Sequence, residues 1–247
     1  MTLPQPRLRA RFSKAGKVRF VSHRDVARIW ERALRRVGVP IAYTEGFSPR
    51  PKLSFGLALS TAHESLGEYL DISLRDDAAA GVDLEQLPTL LTEALPVGME
   101  VQAVVPLEPG SLSLQQAVTS CTWQIELEGT SVTAAAGAVE SALSADELVI
   151  TRTRKGQDAV DDVRPGIVGL RVVGPAPGDG AVLEAELATQ PRGLRPAELV
   201  RALDPGLHAR RVVRIHQWTQ IGGARQEVIA IPPPAATLTR TQQARAS

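Results

Sequence analysis

The chain has 247 residues, 43% of them apolar, 4% aromatic, and a formal net charge of +1. That length suits two domains and that apolar fraction a sizeable core; the single cysteine, Cys121, excludes an internal disulfide and a multi-cysteine metal or iron–sulfur site. The near-neutral total hides a separation: residues 1–60 hold thirteen Lys/Arg against three acids, residues 61–150 one against fifteen, and the remainder fourteen against nine. Such a partition predicts a basic surface on one part of the fold and an acidic one elsewhere.

In chain order, MTLPQPRLRARF lacks the apolar run of a signal peptide, and no segment approaches the ~20 apolar residues of a membrane span, so the expectation is a cytoplasmic protein. Leu8, Ala10 and Phe12 alternate with Arg7, Arg9 and Arg11, which predicts a strand with one wet, cationic face. KAGK reads as a turn, with VRF extended after it. Ser22 suits an N-cap, with Asp25 completing a capping box; Val26, Ile29, Trp30, Ala33 and Val37 form the buried stripe of the helix that follows. Arg24, Arg28, Arg32 and Arg35 fall on another face, and Gly38 and Pro40 end it. A short strand at 40–43, a loop, an apolar strand near 52–59 and EYLDISL at 68–74 come next. A helix over 83–95 and a strand over 99–107 close the unit. Strand, helix, strands, helix, strand is the order of a split-βαβ, ferredoxin-like sheet with its helices on one face.

The second half repeats that order: strand CTWQIELEG, helix SVTAAAGAVESALSADE, strand LVITRTRK, a hairpin of IVGLRVVG and AVLEAELAT, helix RPAELVRALDP and strand ARRVVRIHQWT. The predicted fold is therefore α+β, two tandem ferredoxin-like units over 1–107 and 115–231. The boundary lies at EPGSLSL, and 232–247 forms a disordered tail.

Several stretches carry candidate chemistry. In YTEGFSPRPKLSFGLAL (43–59), Gly46 permits unusual backbone, while Pro49 and Pro51 stiffen the chain around Arg50 and Lys52. Pre-ordered cations lose less entropy on binding than flexible ones. Phe47 can stack on a base or fill a core; Phe55, inside an apolar strand, reads as core. His23 at a helix start suits an anion, as a phosphate donor or as a general acid or base, unless it is structural. Glu45, Glu68 and Asp71 would hold arginines or face solvent. The four histidines show no ligand spacing, so neither a dedicated metal nor a cofactor is expected. Arg152, Arg154, Lys155 and Arg164 would extend a cationic path, with Arg210, Arg211 and Arg214 on the last strand. Arg214 and His216 would share one face of it. Cys121 reads as a small buried hydrophobe. There is no Walker A, GxGxxG or GxSxG pattern, which argues against nucleotide hydrolysis and serine chemistry.

The segment RLRARFSKAGKVRFVSHRDVARIWERALRRVGVPIAYTEGFSPRPKLSFGLAL, with GEYLDISL after it, resembles the radical-SAM-linked family of uncharacterised proteins, whose members occur beside radical SAM proteins or fused to them. RKGQDAVDDVRPGI is similar to a second signature of that family. The resemblance implies a radical SAM partner and supplies no reaction. The chain lacks a radical SAM three-cysteine motif of its own. Tandem ferredoxin-like units are also found, by fold analogy alone, in CRISPR-repeat endoribonucleases, whose glycine-rich loop has only a faint counterpart in IGGARQ at 221–226. The expected function is a non-catalytic RNA-binding accessory of the tRNA or rRNA class, working with a radical SAM modifying enzyme. Its contact residues would be Arg19, His23, Arg24, Arg28, Phe47, Arg50, Lys52, Arg154, Lys155 and Arg164. The alternatives are a protein–protein adaptor for that enzyme and a metal-independent endoribonuclease using His23.

Overall fold

The computed structural model describes residues 5–75, 81–154 and 157–229; the expected tail at 232–247 lies outside them. The chain forms a large, mostly antiparallel sheet with a few helices packed on it. Strand β1 (Arg7–Lys14) is followed by a 3-10 turn at Gly16–Phe20, where the sequence suggested extended chain, and by helix α1 (His23–Val37). Ser22 caps α1 by accepting the Asp25 N–H, and Gly38, at φ +79°, closes it by donating to the Arg35 and Leu34 carbonyls. Val26, Trp30, Ala33 and Leu34 form the buried stripe of α1. Phe12 meets Trp30 edge to face at 4.8 Å, a geometry worth about 1 kcal/mol beyond the buried area.

After α1 come β2 (Leu53–Phe55), β3 (Glu64–Ser73), α2 (Leu87–Ala94) and β4 (Val101–Leu107). The expected helix over 83–95 begins only at Leu87, because Pro88 lacks an N–H and is tolerated in the first turn of a helix. The expected strand at 40–43 is reduced to two isolated bridges, Ile41 to Leu74 and Tyr43 to Pro51. Beyond a short α3 (Leu114–Ala117) lie β5 (Val118–Glu128), α4 (Val132–Ser144), β6 (Val149–Arg154) and β7 (Gln157–Asp162). Then follow β8 (Ile167–Pro175), β9 (Gly180–Ala188), α5 (Pro196–Leu203), β10 (His208–Ile221) and β11 (Ala224–Glu227). The hairpin β6–β7 forms its own small sheet; β7 and β11 are strands that the sequence did not announce. Gly222 and Gly223, at φ +59° and +81°, make the two-residue turn into β11, so IGGARQ is a tight hairpin corner.

The main sheet runs β4-β1-β3-β10-β5-β9-β8, with β2 also on β3 and β11 also on β10. Every pairing in it is antiparallel except β3 with β10, a parallel contact recorded at Val213–Glu64 and Arg214–Ser65. Two apolar clusters lie on either side of that seam. One gathers Phe12, Trp30, Leu34, Leu70 and Leu91; the other gathers Trp123, Ile125, Leu183, Leu187 and Leu199, with Cys121 buried within it. A third, small cluster places Ile229 against Tyr69 and Leu114. Burial pushes the Cys121 thiol up to about 11, so it remains a protonated apolar filler.

Candidate functional site

The exposed surface of α1 is a cationic stripe. Arg24, Arg28, Arg32, Arg35 and Arg36 are all exposed, and steps of four and three or four residues place such positions along one side of a helix. Arg28 pairs with Asp25 at 3.1 Å between exposed side chains, and the exposed Arg35 with the half-buried Glu31 at 2.5 Å; such surface ion pairs contribute little. Arg24, Arg32 and Arg36 make no ion pair among the described residues.

Arg35 also donates from Nε to the Tyr43 hydroxyl at 3.2 Å, which ties the C-terminal half of α1 to the proline-bearing loop. That loop is closed by two contacts. The Thr44 N–H reaches the Arg50 carbonyl at 2.8 Å, and the Arg50 N–H reaches Thr44 Oγ1 at 3.0 Å. Phe47 stands at its tip, 110% exposed relative to a reference chain, so the core reading of Phe47 is replaced by a solvent-facing one. Arg50 and Lys52 are exposed beside it, with Lys52 Nζ donating to Gln5 Oε1 at 3.1 Å. Phe55 is half-buried against the first core, in keeping with its expected place.

Other cations of the first sixty residues are spent inside the fold. The expected wet face of β1 is a dry one. Arg9 is bidentate on Asp71 at 2.6 and 2.8 Å, and Arg11 reaches Glu227 at 2.5 Å; both guanidiniums are buried. The covering residues 227–229 arrive from more than two hundred positions away, which no local pattern in β1 encodes. Lys14 is buried and donates to the Arg19 and Val21 carbonyls; burial pushes its ammonium down, against the Glu68 charge that raises it. Arg19 is held by Glu64 at 3.0 Å. Glu64, which the sequence did not single out, is 3% exposed and accepts from Gly16, Arg19 and Arg211 together. Burial raises its carboxyl, and the hydrogen bonds from Arg211 and Gly16 outweigh that, leaving it below the ordinary value. Glu68 and Asp71 do hold arginines: Glu68 takes Arg214, itself 1% exposed, from Nε at 3.0 Å.

His23 sits in the first turn of α1, exposed, its ring edge-on to Phe55 at 5.2 Å and without a hydrogen bond among the described residues. The place for an anion at that helix start is already filled. The Ser22 hydroxyl, then Arg28 and Arg24, hold the Asp25 carboxyl below its usual range, and a carboxylate there offsets the positive end of the helix. Arg164 lies at the other end of another helix, donating to the Leu143 carbonyl of α4 at 2.9 Å. Arg154 ends β6, and Lys155 lies outside the described residues. Arg152 is drawn into a network with Asp161, Glu198 and Arg192. The alternation expected to put Arg214 and His216 on one face of β10 is interrupted by a register shift between them; Arg214 meets Glu68 and His216 Nδ1 meets Glu227. The structure thus gathers Phe47, Arg50 and Lys52 on one loop and Arg24 and Arg28 on the neighbouring helix. It withdraws Arg19 and sets Arg164 elsewhere.

Among the described residues no group of three or more His, Cys, Asp or Glu is placed to hold a metal ion, and no helix is long and apolar enough to cross a membrane. No curated protein matches the chain. A family model does match, over residues 7–196, which take in the cationic helix, the proline-bearing loop and strand β3 with its buried acids Glu64 and Asp71, while β10 lies beyond the match. The chain belongs to that family, described as an uncharacterised protein conserved in bacteria (DUF2344).

Proposed function

We propose that the chain binds single-stranded RNA across the exposed face of α1 and the loop 44–50. It would serve as an accessory that presents RNA of the tRNA or rRNA class to a radical SAM modifying enzyme. One observation carries the RNA part: α1 bears five exposed arginines, and one of them, Arg35, is bonded to Tyr43 at the base of a closed loop that holds Arg50 and a wholly exposed Phe47. Cations that track a phosphate backbone, next to an aromatic free to stack on a base, are the two elements of sequence-tolerant single-strand recognition. The partner enzyme rests on the sequence resemblance alone. We read the scaffold as two split-βαβ units, 1–107 and 115–231, because the strand orders β4-β1-β3-β2 and β10-β5-β9-β8 repeat one arrangement.

A ribonuclease using His23 is the weaker reading, since no base stands within hydrogen-bonding reach of its ring among the described residues. The deciding experiment is filter retention of short RNA oligonucleotides as salt is raised. The wild-type chain should show a logarithmic salt slope of about −0.7 per phosphate neutralised. Arg50→Glu with Lys52→Glu should abolish retention at moderate salt. Unchanged retention overturns the assignment, and stoichiometric co-purification of an acidic protein without nucleic acid would point to the adaptor.

A further inference from the structure

A groove of about 420 Å3 opens at the seam between the two halves, between the loop 61–63, helix α5 and the first residues of β10. That volume is within the range of small-ligand sites. Its lining contains three arginines, Arg201, Arg210 and Arg211, and no carboxylate. Arg211 is held from behind: Glu64 accepts from its Nε at 2.7 Å and from Nη2 at 2.5 Å, and Glu126 accepts from Nη1 at 3.2 Å. Glu126 also takes Arg210 Nη2 at 2.6 Å. Arg201 is exposed and makes no ion pair among the described residues. The rest of the wall is largely apolar, with Val200, Leu207 and Val212.

One feature of the same groove is unexplained by the fold itself: His63 lines it with a buried Nδ1 that has no hydrogen-bond partner among the described residues. A buried polar atom left unpaired calls for a partner. Ala62 beside it holds φ +70° as the third residue of a turn closed by the His63 N–H on the Ser60 carbonyl at 3.1 Å.

We propose that this groove binds a terminal phosphate monoester that carries a nucleoside. The phosphate lies among Arg201, Arg210 and Arg211, and the nucleoside lies on the apolar wall. Glu64 and Glu126 take three of the five N–H groups of Arg211 and leave one on each Nη nitrogen for phosphate oxygens, beside Arg210 and the exposed Arg201. An arginine already held in place loses little freedom on binding. The groove is apart from the α1 stripe, and the inference stands whether or not that stripe binds RNA. The monoester could belong to a free nucleotide or to the phosphorylated end of an RNA strand.

Calorimetric titration tests this with AMP, adenosine, and one short oligonucleotide prepared with a 5′-phosphate and with a 5′-hydroxyl. AMP should bind saturably, and adenosine about tenfold more weakly or worse. Arg201→Ala with Arg210→Ala should weaken AMP by about tenfold or more, and Arg201→Glu, at an exposed position with no ion-pair partner among the described residues, should do the same in a chain that melts normally. Arg50→Glu with Lys52→Glu should leave AMP binding intact, which separates this site from the α1 surface. A 5′-phosphate preference that disappears in the groove variants identifies a strand end as the ligand; AMP binding without that preference identifies the free nucleotide. Absence of both AMP binding and the 5′-phosphate preference, or their survival unchanged in the groove variants, overturns the proposal.

Discussion

The buried arginines of β1 and β10 and the unpaired ones of α1 are the same residue put to opposite uses. Arg9, Arg11 and Arg214 are buried and each is matched by a carboxylate, so their charges are spent within the sheet. Arg24, Arg32 and Arg36 are exposed and unmatched among the described residues, so their charges face whatever approaches. Composition counts both groups alike. Between these two groups burial and the partner acid make the difference: Asp71, Glu227 and Glu68 for the first, and none among the described residues for the second.

The contrast can be broken by substitution, and the largest effect belongs to the buried set. Arg214→Ala strands Glu68 beside an apolar core and should lower unfolding stability by about 3–5 kcal/mol in urea melts. A cost below about 1 kcal/mol would show that the pair is solvated. Next in size is Glu64, whose loss leaves Arg19 and Arg211 without their shared acceptor; Glu64→Gln should cost about 2 kcal/mol at neutral pH. Its carboxyl lies below its ordinary value in the folded chain. Its contribution is therefore complete above the unfolded value, near pH 4, and is lost as pH falls through the lower folded value. Melting temperature followed from pH 6 to pH 3 should fall less steeply in Glu64→Gln than in the parent.

The exposed set should give the reverse pattern, with binding changed and stability kept. Phe47→Ala should weaken single-stranded RNA by about 1–3 kcal/mol while unfolding stays within about 0.5 kcal/mol. A destabilised Phe47→Ala chain would mean that the ring packs in solution. The smallest effect is expected at Arg28. Arg28→Ala removes an exposed pair with Asp25 for about 0.3–0.5 kcal/mol, yet should reduce the salt slope of RNA binding by about 0.7.

Helix α1 was legible in the sequence because its cap, stripe and terminating glycine are local signals; so was the alternation in β1. The dry face of β1 was not, since Asp71 and Glu227 reach Arg9 and Arg11 through sheet pairing and a returning hairpin that no spacing reveals. Glu64 was missed for the same reason: a single acid in ESLGEYL shows nothing until Arg19 and Arg211 converge on it. Phe47 left two readings open, and only the closure of its loop by Thr44 and Arg50 settled on the exposed one.

The sheet's middle position belongs to β10, whose residues 208–221 come last but one among the strands of the described residues and lie between β3 and β5. On a ribosome, the rim of β5 and the Glu64–Ser65 end of β3 must therefore wait for residues 208–221 to emerge before they pair with β10. Open rims of that kind invite association with other chains, and contacts so distant in sequence form slowly. A nascent chain halted before residue 208 would expose both rims at once, which makes this last insertion the step at which a chaperone would matter most.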